Sequence, residues 1–312
     1  MIVVFGSINL DLVARVARLP RPGETITGDS FATLPGGKGA NQALAARRAG
    51  AEVAMAGAVG SDSFADDALS GLVAAGVDID WIRRVGVLTG VALIHVDSAG
   101  QNAITVVPGA NAAADAAVVP DTALAAGMTL LLQLEVPMDR VCAIASRASK
   151  RGARVILNAA PAHALSAALL SDLDVLIVNA LEAGAIADAL DMPGAPENFA
   201  AALHRRYGCA VMVTLGSRGI VAAVDGALLS VDAPAVHVVD TTGAGDAFAG
   251  VLAAALDRGA DWPTAIAEGV AAGSLACTAP GAQRALPEAA AIRTLAASVA
   301  SKMRSGPLSA AP

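Results

Sequence analysis

A regular alternation beginning near residue 120 constrains the fold more than any other feature of the sequence. Short apolar runs at residues 129–134, 154–157, 175–178 and 211–214 are separated by stretches with helical spacing. Runs this short and uniformly aliphatic read as strands covered on both faces, and strands separated by helices join a parallel sheet. The predicted fold is therefore α/β, with a doubly wound, mostly parallel central sheet and helices on both faces. Residues 1–5 and 53–59 add two strands of the same kind, and residues 64–75, 262–277 and 287–303 read as helices. Aromatic residues make up only 3% of the chain against 55% hydrophobic, so Ala, Val and Leu must fill the core.

Two segments break the pattern. Residues 13–35 lack helical periodicity and hold Pro20, Pro22, Gly23 and Gly28. Residues 89–96 and 102–107 form two alternating runs around the turn Asp97-Ser98-Ala99-Gly100, the signature of a hairpin. Together they predict a small β lid, inserted in an α/β body of residues 1–12, 36–88 and 108–304. A further hairpin is expected between residues 221 and 231 around Asp225-Gly226, and residues 305–312 read as a frayed, disordered tail.

A net charge of −7 argues against nucleic acid or an anionic membrane as partner and favours a small soluble ligand. The N-terminal run lacks the basic region and cleavage site of a signal peptide, and Gly, Pro or charge interrupts every long apolar stretch. Cys142, Cys209 and Cys277 are scattered, without metal or disulfide spacing. A reduced, cytoplasmic protein is expected. His95, His163, His204 and His237 also lack metal spacing and are read as core or surface residues, while Arg83-Arg84 and Arg205-Arg206 are read as solvated helix ends.

Chemistry concentrates at Asp240-Thr241-Thr242-Gly243-Ala244-Gly245-Asp246. The β-branched run at 236–239 predicts a strand, the glycines a turn, and residues 247–256 a helix, so main-chain N–H groups converge at the helix's positive end. That is an anion site. A carboxylate beside it needs a reason, and a general base beneath a transferable phosphoryl group supplies one, although Asp246 could also be an ordinary helix cap. Asp240 tips the choice, since two carboxylates around a glycine turn suit a cation-assisted phosphate site. A second glycine stretch, Pro35-Gly36-Gly37-Lys38-Gly39-Ala40-Asn41-Gln42, opens a helix to about residue 48 and lets Lys38 and Asn41 face a ligand. It is not a Walker A loop, because Lys38 lacks a following Ser or Thr and position 32 is Ala. Asn9 and Asp11, in the turn after the first strand, are placed for polar recognition or form a plain Asx turn.

These motifs together resemble the ribokinase-like sugar kinases of the PfkB superfamily. Ser7-Ile8-Asn9-Leu10-Asp11, the Gly36 to Gln42 stretch, Pro108-Gly109-Ala110-Asn111, Gln133-Leu134-Glu135, Asn179-Ala180-Leu181-Glu182, Thr214-Leu215-Gly216-Ser217-Arg218-Gly219 and Asp240 to Asp246 occur in the family's order over nearly the whole chain. The resemblance implies transfer of the γ-phosphoryl of ATP to a sugar's primary hydroxyl, with ribose first among acceptors. Asn9, Asp11, Gly37, Lys38, Asn41 and Glu135 match its sugar-binding positions, Asp246 its base, and Gly243, Ala244 and Gly245 its anion hole. Thr214, Gly216, Ser217, Arg218, Gly219 and Gly245, with Asn179, match its nucleotide site; read alone, residues 214–219 could be a surface turn.

Asn179 and Glu182 match a motif acting near Mg²⁺ largely through water, although the same pair also reads as a helix capping box. Asp240, Thr242, Ala276, Ala279, Gly281 and position 285 match an activating K⁺ site. There Ala285 departs from the usual Ser, and Val270 departs from an Asn often found near the adenine. The lid strands leave exposed edges that could pair with a second copy, so a homodimer formed through the lid is expected. The same pattern would serve a kinase of another sugar or of a nucleoside, or a relative that binds without catalysis.

Overall fold

The structure, a computed structural model, describes residues 1–308. Its centre is β1 (Ile2–Phe5), all four of whose residues are fully buried. Ile2 and Val4 enter the apolar core on one face of the sheet, Val3 and Phe5 the core on the other. A period-two strand with no polar face can only lie between two helical layers.

β2 (Asn9–Val16) and β3 (Gly28–Gly36) then leave the main sheet, and α1 (Lys38–Arg48), β4 (Val53–Gly60), α2 (Ser63–Ala75) and β5 (Asp78–Val85) rejoin it. β6 (Gly90–Val96) and β7 (Asn102–Val107) leave again. The alternation follows as β8 (Thr129–Leu132), α3 (Met138–Lys150), β9 (Arg154–Asn158), α4 (Ala167–Ser171), β10 (Val175–Asn179), α5 (Ala180–Leu190), α6 (Pro196–Tyr207) and β11 (Ala210–Thr214). The hairpin β12 (Ile220–Val224) and β13 (Ala227–Val231) precedes α7 (Ala244–Asp257), α8 (Trp262–Ala276), α9 (Ala289–Ala300) and β14 (Arg304–Pro307).

Ten strands form the main sheet in the order β14-β13-β12-β11-β10-β9-β8-β1-β4-β5. From β5 to β11 all neighbours are parallel, and β12, β13 and β14 add antiparallel edges. The chain moves from β1 outward to β4 and β5, then returns to lay β8 on the other side of β1. Ligand crevices open at the carboxyl ends of strands where the order reverses in this way. The lid is a separate sheet of order β3-β2-β6-β7. α7 is buried along nearly its whole length between α1 and α8, and Gly250 marks its tightest contact. A Cβ there would lie 2.4 Å from the Gln42 carbonyl oxygen.

Four expectations need correction. The lid sheet begins at Asn9, so Asn9 and Asp11 sit on β2 and not in a turn. Residues 236–239 join no sheet: β11 is already paired on both sides, and the Val239 and Asp240 N–H groups donate instead to the Cys277 carbonyl at the end of α8. Arg83 and Arg84 lie on β5, a half-exposed edge strand whose polar residues hide its periodicity, and Arg84 pairs with Asp66 of α2. Arg205 and Arg206 do end a helix, α6. Finally, residues 304–307 pair with β13 and so satisfy an otherwise bare edge; the rest of the expected tail, 309–312, lies outside the described residues.

Candidate active site

The carboxyl ends of β1, β8, β9, β10 and β11 converge with the starts of α1, α5 and α7. Gly243 is the N-cap of α7 in the left-handed region (φ 79°), which turns the incoming loop so that the first helical N–H groups face the crevice. Asp246 occupies the third helical position, yet it caps nothing. Its Oδ2 accepts from Asn41 Nδ2 at 2.9 Å and its Oδ1 from Gln42 Nε2 at 2.8 Å. Both donors come from α1, so one helix holds both oxygens of a carboxylate carried by another. Gly37, the N-cap of α1, takes φ 89° where a Cβ would stand 2.8 Å from the Asn9 nitrogen.

Toward the lid lie the residues matched to the sugar. Asn9 Oδ1 accepts from Asn111 Nδ2 at 2.7 Å, and Asn111 also exchanges hydrogen bonds with the Ile8 main chain. Glu135 uses Oε2 to accept from Ser7 Oγ (2.6 Å) and the Lys38 N–H (3.1 Å), joining the loops after β1 and β8 to the start of α1. Asn41 Oδ1 is buried without a partner. An orphaned acceptor beside a carboxylate fits a hydroxylated ligand, whose O–H can donate to it.

On the other side of Asp246 a polar cavity of about 240 Å³ is lined by Lys38, Asn158, Asn179, Glu182, Thr214 and Gly245, among others. It adjoins a larger, mostly aliphatic groove of about 490 Å³, the two sharing Thr214, Thr241 and Gly245. Gly216, Ser217 and Gly219 line the groove, but the exposed Arg218 does not. Val270 does line it, as does the half-buried Cys277.

The Asn179–Glu182 capping box is complete: Glu182 Oε2 accepts from the Asn179 N–H, and Asn179 Oδ1 from the Glu182 N–H. It fixes both side chains at the cavity wall. Asp240 does not line the cavity; it accepts from Thr242 N (2.9 Å), Thr242 Oγ1 (2.7 Å) and Gly281 N (2.9 Å), tying the loop before α7 to the loop after α8. Among the described residues no cluster of three or more His, Cys, Asp or Glu could hold a metal ion.

Sequence reasoning missed Asn158 and gave no role to Gln42, Gln133 or Ser7, all buried in this network. Asn158, at the carboxyl end of β9, carried no motif to mark it.

The family model for pfkB family carbohydrate kinases matches residues 1–289. The chain belongs to this family. Among curated relatives of this pfkB kinase, a ribokinase of Haemophilus influenzae is 37% identical over 291 residues, covering 92% of this chain and 95% of that one. A ribokinase of Schizosaccharomyces pombe is 39% identical over 272 residues, covering 83% and 86%. Among solved structures, a ribokinase of Thermotoga maritima superposes with TM-score 0.86 at 31% identity over 94% of this chain and 98% of that one. One of Arabidopsis thaliana complexed with ribose and ATP gives TM-score 0.85 at 32% identity over 95% and 98%.

Electrostatics in the pfkB site follow from burying several charges together. Burial raises the Asp246 pKa, and the Lys38 charge and the two amide donors only partly offset this. For Lys38, burial acts to lower the pKa, but the charges of Asp246, Glu135 and Glu182 outweigh it and keep the ammonium protonated. Asp11 is pushed up to about 7 by burial and by the charges of Glu135 and Asp246. A carboxyl raised above its unfolded value stabilises the fold fully below that value and loses the contribution as pH rises through the folded one. Thermal melts of the ligand-free kinase should therefore show stability falling as pH passes through 7, with Asp11→Asn flattening the decline. An unchanged slope in that variant would remove Asp11 as the cause.

Proposed function

We propose that the protein is an ATP-dependent ribokinase, phosphorylating the primary hydroxyl of D-ribose to give ribose 5-phosphate. The observation that carries this reading is the buried Asp246 carboxylate at the start of α7, gripped through both oxygens and flanked by Lys38. Ribose takes the lid side, where Asn9, Asp11, Lys38, Asn41 and Glu135 meet its hydroxyls and Gly37 lets the chain approach. Asp246 accepts the proton of the C5 hydroxyl as that oxygen bonds to the γ-phosphorus and the bond to the β-phosphate oxygen breaks, releasing ADP. The N–H groups of Gly243, Gly245 and Asp246, at the start of α7, face the developing charge, while that of Ala244 donates to the Thr241 carbonyl at 3.3 Å. The nucleotide lies along the adjoining cavities, past Asn179, Thr214, Gly216, Ser217 and Gly219, with Arg218 at the rim. The aliphatic lining around Val270 suits a flat base held by shape.

Glu182 and Asn179 fit Mg²⁺ bound largely through water, because one carboxylate and one amide beside a phosphate site suit an ion that keeps its hydration shell. When bound, that ion neutralises phosphate charge. Asp240 and Thr242, with the carbonyls near Ala276, Ala279 and Gly281, fit an activating K⁺. Burial acts to raise the Asp240 pKa, but hydrogen bonds from Thr242 and Gly281 outweigh it and keep the carboxylate charged; Ala285 offers no hydroxyl to such an ion.

No helix of the described residues is long and apolar enough to cross a membrane. Three free cysteines fit a reduced, cytoplasmic setting. The lid leaves Phe31, Leu93, Ile104 and Val106 exposed, which supports a homodimer formed through it. Light scattering should give twice the chain mass, and Ile104→Glu should shift the protein toward monomer; a monomeric wild type would defeat this arrangement.

The function is tested by offering the purified protein ATP, Mg²⁺ and a panel of acceptors. ADP should form far faster with ribose than with fructose or adenosine. A preference for either of those overturns ribose, and no turnover with any acceptor overturns the kinase reading.

A further inference from the structure

Three buried amides form a directed chain behind the base. Gln133, just past β8, donates Nε2 to Gln42 Oε1 at 2.8 Å. With its oxygen so occupied, Gln42 must present its nitrogen, which donates to Asp246 Oδ1 at 2.8 Å and to Asn158 Oδ1 at 2.9 Å. Asn158 is oriented in turn, donating Nδ2 to the Ile177 carbonyl at 3.2 Å. Gln42 and Gln133 have no exposed surface. The slot for the Gln133 amide is built into the backbone, because a Cβ at Gly6 would lie 1.8 Å from Gln133 Oε1.

We propose that Gln42 is a positioning residue for proton transfer, its amide oriented by Gln133 and aiming the Asp246 carboxylate at the acceptor hydroxyl. A carboxylate held by Asn41 alone could rotate about its side-chain torsion, whereas two donors on opposite oxygens fix its plane. The donor also favours the ionised base, which Lys38 of α1 supports and which Glu135 after β8, Glu182 of α5 and Asp11 of β2 oppose.

The inference rests on Asp246 being the base, and the test separates the two. Gln42→Met keeps length and removes the donor. Its kcat should fall about 10- to 100-fold, the loss expected for one hydrogen bond to a charged group, while KM for sugar and ATP stays near wild type. The acid limb of its kcat–pH profile should move to higher pH. Gln133→Leu should reproduce part of this effect and add nothing in the Gln42→Met background, because it acts through Gln42. Should Gln42→Met fold poorly, Gln42→Glu keeps the shape and should shift the acid limb further. Wild-type kcat and acid limb in Gln42→Met, with Asp246→Asn inactive, would overturn this inference alone. So would a kcat loss with an unmoved acid limb and additive double-mutant effects, which marks a merely structural role. An active Asp246→Asn would instead overturn the base assignment beneath it.

Discussion

Asp246→Asn should lower turnover about 10²- to 10⁴-fold, the range that a general base contributes. Asparagine has nearly the shape of aspartate, so α7 and its contacts with α1 should persist, and a neutral amide is easier to bury than a carboxylate. Thermal stability should hold or rise even as activity disappears. What is lost is the capacity to take a proton: one oxygen becomes an NH₂, which can face Asn41, whose unpartnered Oδ1 accepts from it once that amide turns over. ADP release at saturating ribose measures the effect directly. Turnover within about tenfold of wild type would mean that another group accepts the proton.

Gly250→Val should produce the largest loss of stability. A Cβ at this position would sit 2.4 Å from the Gln42 carbonyl oxygen and 2.8 Å from the Ala45 Cβ, so α1 and α7 must separate. Overpacking of a close contact costs about 1–3 kcal/mol, and a branched side chain against backbone belongs at or above the top of that range. For a chain this size that is a fall of roughly 5 °C or more in melting temperature. Because α1 carries Asn41 and Gln42, the same displacement should also depress kcat. A melting temperature within about 2 °C of wild type would show that the helices can part freely.

Much of this could be read from residues alone, for identifiable reasons. The aliphatic runs of β8 to β11 announced a buried parallel sheet because strands covered on both faces have no polar alternation to confuse them. β5 escaped because an edge strand carries polar residues such as Asp78 and Arg84 that mimic loop or helix end. Residues 236–239 misled for the opposite reason: β-branched composition favours extended backbone, but whether a sheet edge is free to receive it is decided elsewhere in the chain. At the site, glycine motifs and nearby carboxylates marked Asp246 and Lys38. The amides of Gln42, Gln133 and Asn158 were not legible, since their function lies in contacts between residues as far as 204 positions apart.

Asn9 and Asp11 belong to a lid strand, whereas Asp246 is rooted in a body helix. Two of the proposed sugar contacts and the proposed base thus stand on separate pieces of the molecule, linked by the short passage from β1 to β2, while Lys38, Asn41 and Glu135 stay with the body. On the proposed function, an outward swing of the lid would draw Asn9 and Asp11 away from Asp246 and leave the base without a complete acceptor site beside it. On that reading, wasteful hydrolysis of nucleotide would be held down by where the chain is divided between lid and body.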